Sequence, residues 1–557
     1  MGSRTPTHTP LLPGWALWLL AAVVVSVVAG PALGLGFVHD DVVLLGAGSA
    51  AAQPETLPAA LGHDLFWLAG GAVRPSPYWR PVVVATYYLE HALGGGSPWA
   101  FHLGNLVALA TLAVVAARRA RDRLGQLVIL AVVLLHPLQA EAAANITART
   151  DTLAALFGTL AVFQVGLPGA LLTLLALGSK EVAVVVPLLA LLRAREGGLS
   201  RSAWLPHALA TAGWVAGRQV LVGSWGIAAE DLGGPTLAGV VGAGGRVAFY
   251  LGRLLWPVDP TPARVLPGVE GLAALAGWGL LLLLAGVVVV GARRARTAAS
   301  AAPAESSASW RLGLATVVLP LLPVSGLLVG TVRYAEGFLV WPLVGAAWML
   351  AALPRGRALV AVLMIPLAVP LRAQVMTWRD EGTLWATAAL RYPDDPLVAL
   401  KVSKSRLGAG DAAGAEDAIA VALRGSLPPR QHREACAVGA RLRIERGDDS
   451  AALPLLAVAA QPDDPEATWA LTARCVVEVA EGTANQGVSS HGGVPLVDVC
   501  ADALRRSPDD ADLHNAAGVL AARSGDLTTA RLLFSRAVEL SPDRPEFRAN
   551  LQRATPP

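Results

Sequence analysis

Between residues 12 and 371 the chain returns repeatedly to apolar runs that approach or reach the thickness of a bilayer, and several of them end on a short basic cluster. Inside lipid a segment must satisfy its own backbone hydrogen bonds, so a run of about 20 apolar residues reads as a helix that spans. The clearest runs are 12–35, 99–117, 204–222, 272–292 and 312–329; shorter ones lie at 124–135, 152–165, 170–177, 182–192, 339–353 and 359–371. A hydrophobic share of 54% and a mean hydropathy of +0.52 exceed what a soluble chain of 557 residues carries.

The basic clusters at 118–123, 193–201, 293–296 and 355–357 set the orientation, because Lys and Arg beside span ends are retained in the cytoplasm. Placing all four inside gives about eleven crossings, with the N-terminus cytoplasmic and the C-terminus outside. That parity requires the two short runs flanking Gly178-Ser179-Lys180-Glu181 to cross or re-enter as a pair. The stretch 239–256 holds Arg246 and Arg253 within apolar sequence and reads as interfacial or packed on the bundle. The first run is too long for a cleaved leader and reads as an uncleaved span. Heavy use of Ala, Gly, Val and Arg suggests a GC-rich bacterial genome, and therefore a bacterial inner or plasma membrane. A net charge of only +3, with the basic residues gathered at span ends, argues against nucleic-acid binding. Outside the membrane lie a long first loop, 37–98, and the loops 136–151, 223–238 and 331–338.

After Arg372 a different period begins. Within 511–544, Gly518, Ala521, Ala530, Phe534, Ala537 and Pro542 occupy the small, aromatic and terminating positions of a tetratricopeptide repeat. Weaker units keep Gly410, Ala415, Ile419 and Ala422, then Gly447, Ala452, Leu456 and Ala459; a further one is split by a loop at 481–493. Such a solenoid binds extended or helical peptide, or serves as a spacer. The resulting division is 1–372 for the membrane domain, 373–395 for a junction and 396–557 for the repeats. Cys436, Cys475 and Cys500 show no metal-binding spacing. Cys475 and Cys500 could pair in an oxidising compartment, but buried free thiols are the expectation.

The chemistry points to the outside face. Asp40 and Asp41 follow the first span directly, where carboxylates are costly unless they bind a cation, pair with Arg, act as acid and base, or cap a helix. Arg80, His102, His136, Glu141, Arg149, Asp151, Lys180, Arg333 and Glu336 fall on the same side. Carboxylates beside cations at a membrane surface suit transfer from a lipid phosphate: a base deprotonates the acceptor and cations hold the departing phosphate. A proton-coupled transporter would bury its charges mid-span, whereas these collect at span ends and in loops.

Asp40-Asp41, Tyr78-Trp79-Arg80-Pro81, Phe101-His102-Leu103-Gly104-Asn105, His136-Pro137 with Glu141, Arg149-Thr150-Asp151 and Ser179-Lys180-Glu181 occur in order, followed by repeats. The passage 375–380 with Leu384-Trp385 completes the pattern. The set resembles the transmembrane and tetratricopeptide-repeat-containing O-mannosyltransferases and their bacterial relatives, in the GT-C glycosyltransferase class. The resemblance implies an all-α fold: a polytopic GT-C-type membrane helix bundle followed by a tetratricopeptide α-solenoid. It also implies inverting transfer of a sugar, mannose in the named family, from a polyprenyl-phosphate carrier to a hydroxyl at the outer face. Asp40 maps to the base, and Asp41 would orient it or hold a divalent cation. Arg80, Arg149 and Lys180 map to carrier-phosphate contacts; His102, Asn105, His136 and Glu141 would shape the site. The family has Glu-Arg before an aromatic-rich span, where this chain has Glu336-Gly337; Arg333, one helical turn earlier, is the candidate substitute. The repeats favour a polypeptide acceptor. A non-catalytic scaffold that recruits a partner, and transfer to a glycan or lipid, are the alternatives.

Overall fold

The computed structural model describes residues 11–70, 76–196, 200–223, 237–257, 264–265, 272–297, 308–325, 333–461, 464, 467–481 and 495–555. These are almost entirely helical. The exception is a two-stranded antiparallel pairing, with Arg264 opposite Tyr334 and Val265 opposite Arg333. The chain divides into two compact units, one running to Arg391 and the other from Tyr392.

In the first unit the Pro98–Ala117 helix is central, because its Ala and Leu side chains are buried along most of its length. Small side chains let neighbouring backbones come close, the usual way apolar helices associate without water to drive them. The Gly14–Val28 helix buries Leu17, Ala21, Val25 and Val28 on one stripe while Trp15, Leu19, Val23 and Val27 stay exposed on another. A helix apolar on both faces has no water-facing side. The Arg357–Thr377 segment goes further: only 17% of its apolar window is buried. Pro366 interrupts its backbone ladder, and a short 3-10 stretch, Ile365–Leu367, absorbs the missing donor.

Two sequence spans are corrected. The run 12–35 is not one α-helix: Gly30 and Pro31 end it at Val28, and a 3-10 turn, Gly30–Gly34, follows. In the run 312–329 Pro320 separates Trp310–Val318 from Leu321–Val324, and residues 326–329 lie outside the described residues. Among the described residues, Pro98–Ala117 and Arg357–Thr377 are the two helices long and apolar enough to cross a membrane; the other apolar helices are shorter. The stretch 239–256 forms the Leu237–Leu255 helix, with Arg246 donating to the Ser325 carbonyl.

The second unit is a succession of helix hairpins: Pro396–Gly408 with Ala412–Arg424, Pro429–Glu445 with Asp449–Ala459, Thr468–Ala480 with Leu496–Arg506, and Ala511–Arg523 with Leu527–Leu540. Three of the turns share one device. Gly410, Gly447 and Gly525 take a left-handed conformation, and the next residue, Asp411, Asp448 or Asp526, caps the following helix by accepting the amide three residues on. Gly518 lies so close to Phe534 that a Cβ there would stand 2.7 Å from the ring. The small and aromatic positions of the sequence pattern are therefore the contact between the paired helices.

The expectation of free thiols at Cys475 and Cys500 is overturned. They form a disulfide with Cα atoms 5.2 Å apart, joining the two helices of the third hairpin, while Cys436 is free and buried. Most of the loop 481–493 lies outside the described residues. Alkylation of the denatured full-length protein is expected to label one cysteine without reductant and three with it, read by intact mass. Three labels in the unreduced sample would exclude the bridge.

Candidate active site

The first unit draws the outside-loop residues of the sequence reading into one end of its bundle. The adjacent acids Asp40 and Asp41 meet opposite fates as the Asp40–Leu45 helix begins. Asp41 turns inward and is 1% exposed. Its carboxylate accepts the amides of Ile146 at 3.0 Å and Thr147 at 2.9 Å, closing the N-terminal end of the turn that feeds the Arg149–Val162 helix. Burial pushes Asp41 up to about 7 against the pull of those two amides. Asp40 faces outward, its side chain 48% exposed, with Oδ1 2.9 Å from Nδ1 of His39. His39 holds Asp40, and Asp41, expected to orient its neighbour or hold a cation, fastens one loop to another.

His39 has φ 60° and ψ −128°, the one positive φ outside glycine among the described residues. Its backbone amide donates to Oε1 of Glu381 at 2.5 Å, and its ring lies 5.6 Å from that of Trp385.

Arg149 is buried beneath this corner. Nε donates to Oδ1 of Asn105 at 2.8 Å, Nη1 to Thr86 Oγ1 at 3.0 Å and to Glu90, and Nη2 to the Phe101 carbonyl at 2.5 Å. The guanidinium also lies over the Tyr87 ring. Asn105 completes the hub by donating to the carbonyls of Ala142 and Asn145. His102, fully buried, reaches the Gly36 carbonyl at 3.4 Å. His136 accepts the Leu138 amide at Nδ1, so its proton sits on Nε2 and is donated to the Leu254 carbonyl at 3.2 Å. Burial pushes that ring down to about 4, which keeps it neutral. Arg149, Asn105 and His136 therefore spend their polar atoms on the framework, whereas His102 Nδ1 is buried without a hydrogen-bond partner.

A second cluster lies beside it. Lys180 donates to Oδ2 of Asp151 at 2.5 Å and rests over the Phe338 ring. Arg80 pairs with Glu181 at 3.3 Å and stacks on Tyr78. Arg80 Nε and Glu181 Oε1 are buried without a hydrogen-bond partner, the condition in which a polar group can still take a ligand. Glu141 accepts the Gly337 amide at 2.8 Å. Burial, reinforced by nearby Asp151, pushes Glu141 up to about 7, while the Gly337 amide, Lys180 and His39 pull the other way.

Gly337, where the sequence comparison expected Arg, has a local reason: a Cβ would stand 2.7 Å from Oδ2 of Asp151, displacing the acceptor of Lys180. Arg333 is not one helical turn from Glu336, because it belongs to the short strand; its side chain lies outside the described residues. Arg253 Nη2 stands 3.9 Å from Oε1 of Glu336, with Nε 3.4 Å from the Tyr334 hydroxyl. Among the described residues no group of three or more His, Cys, Asp or Glu side chains is arranged to hold a metal.

His39, Glu90, Glu181, Arg253 and Glu381 were not singled out from sequence. Glu181 stands inside a motif, His39 directly precedes one, and Arg253 lies in an apolar stretch already noted. Glu90 carries no local signal.

No family model matches the chain. Protein O-mannosyl-transferase Tmtc2 of Drosophila melanogaster is 32% identical over 127 residues, 21% of this chain and 13% of that protein. Protein O-mannosyl-transferase TMTC1 of Homo sapiens is 32% identical over 174 residues, 29% of this chain and 19% of that protein. The matched stretch thus spans about an eighth of the first of these relatives. Among solved structures, the TPR protein YrrB, described as having an unusual peptide-binding site, aligns at a TM-score of 0.24 with 16% identity over 32% of this chain and 83% of its own. The P58(IPK) TPR domain aligns at 0.19 with 10% identity over 70% of this chain and 92% of its own. Both superpositions are too loose to define a fold.

Folded Glu141 keeps its proton up to about 7, whereas the unfolded carboxyl releases it near 4.5, so the folded state loses stability as pH rises between those values. Glu141→Gln retains an acceptor for Gly337 and lacks the titration. It is expected to melt above the parent at pH 8, by up to about 3 kcal/mol, with the difference closing toward pH 4.5. Identical pH slopes in the two proteins would remove this assignment.

Proposed function

We propose that the chain is a membrane glycosyltransferase that moves a sugar, mannose by the likeness to protein O-mannosyl-transferases, from a polyprenyl-phosphate carrier to a hydroxyl of a polypeptide at the extracytoplasmic face. The observation that carries this reading is the exposed carboxylate of Asp40, held by His39, in a unit that also buries Arg80 and Lys180 against fixed partners. Asp40 takes the proton of the acceptor hydroxyl as its oxygen bonds to the anomeric carbon. The bond from that carbon to the carrier phosphate breaks on the opposite side, inverting the centre. Arg80 and Lys180 stabilise the charge that develops on the phosphate, Arg80 through its unpartnered Nε. Glu181 and Asp151 hold those cations in place.

The unit ending at Arg391 supplies this chemistry from a GT-C-type bundle of about eleven crossings, with the N-terminus cytoplasmic. The apolar, largely uncovered Arg357–Thr377 segment supports lipid around it. The hairpins from Tyr392 onward are read as tetratricopeptide units that present the acceptor. Their disulfide supports an oxidising compartment, on the side opposite the basic clusters.

One observation favours a non-catalytic scaffold: Arg149 with Glu90, Lys180 with Asp151 and Arg80 with Glu181 neutralise one another in pairs, as a purely structural network would. A deletion strain complemented with variants separates the two readings, with sugar on its envelope proteins measured by glycoproteomics. Asp40→Asn is expected to lower turnover about a hundred- to ten-thousand-fold with normal insertion. Asp41→Asn places an amide donor against two backbone amides and is expected to lose about 1–3 kcal/mol of stability while the remaining folded protein turns over. Parental glycosylation in Asp40→Asn would leave the scaffold as the better account.

A further inference from the structure

We propose that the helix Glu381–Arg391, which follows the last apolar segment, belongs to the reaction centre, with Glu381 acting as a positioning residue for Asp40 through His39. The proposal rests on the reading of Asp40 as the base.

His39 occupies a conformation that L-residues avoid, with φ 60°. Such a conformation persists where the surroundings over-determine it, and such places cluster at functional sites. Here the surroundings include Glu381 and Trp385. Oε1 of Glu381 accepts the His39 amide at 2.5 Å, while Oε2 accepts the Trp385 indole N–H at 2.5 Å. Each oxygen has a different donor, so the carboxylate cannot turn without losing one. Trp385, 1% exposed, sets its ring beside the imidazole of His39. On the other side the imidazole Nδ1 meets Asp40. His39 thus links the Asp40 carboxylate to Glu381.

The ordinary role of an acid in a first helical turn is to cap its own helix. That role is already filled: Asp380 accepts the Thr383 amide at 2.7 Å. Glu381 is thereby left to the long-range contact, 342 positions away in sequence. If His39 relaxed to an ordinary φ, its amide would leave Glu381, its ring would leave Trp385, and Asp40 would swing with them.

The test uses full-length protein in membrane vesicles, with mannosyl polyprenyl phosphate as donor and the host's envelope proteins as acceptor. It has a second readout independent of turnover: the rate at which diethyl pyrocarbonate acylates His39, followed by mass spectrometry. Glu381→Ala is expected to lower kcat tenfold or more with the donor KM within twofold, and to speed His39 acylation several-fold. Glu381→Gln is expected to be impaired as well, because its amide group opposes either the His39 amide or the Trp385 indole N–H. Trp385→Phe removes the second donor, so Glu381→Gln combined with Trp385→Phe is expected to recover turnover relative to Glu381→Gln alone. Parental kcat in Glu381→Ala while Asp40→Asn is inactive overturns the positioning role and leaves the base in place. Parental turnover in Asp40→Asn overturns the reading beneath it, and the acylation rate then still reports whether Glu381 holds His39.

Discussion

A guanidinium cannot be left in an apolar interior without hydrogen bonds, and the placement of Arg149 organises the first unit around that demand. To satisfy one side chain, the Pro81–Gly94 helix contributes Thr86 and Glu90, and the Pro98–Ala117 helix contributes Asn105 and the Phe101 carbonyl. Asn105 extends the constraint to the loop at Ala142 and Asn145. Immediately beyond Asn145 stand the two amides that receive Asp41. The corner that exposes Asp40 therefore descends from a buried cation that need not touch the substrate.

Legibility in the sequence followed the range of the interaction. Gly410, Gly447, Gly518 and Phe534 were marked by the repeat pattern, because the turn and the small-to-aromatic fit recur within one short unit, whereas the caps at Asp411 and Asp448 were not read. The ordered motifs supply the residues that meet at one end of the bundle. The roles within that corner were not readable. Arg149 meets Glu90 across 59 positions and His39 meets Glu381 across 342, and no local pattern announces either partner. The disulfide was missed because a separation of 25 says nothing about whether two helices fold back on each other. The run 12–35 was drawn too long because hydropathy does not register the helix-ending effect of Gly30 and Pro31.

Gly337 shows how a departure from a family pattern can be a local solution. The larger residue expected there would occupy the space where Asp151 meets Lys180, while the glycine amide serves Glu141. Arg253, on a different helix, brings a cation to Glu336 instead.

The contact between His39 and Glu381 also bears on biosynthesis. The two residues are 342 positions apart, so the early segment waits roughly 20–70 s for its partner at 5–20 residues per second. During that interval the intervening helices must be inserted with the His39 backbone free to relax. An incomplete nascent chain thus carries the Asp40 motif without the contact that shapes it, and ribosome stalling or proteolysis before residue 381 yields a product in which that corner is never assembled.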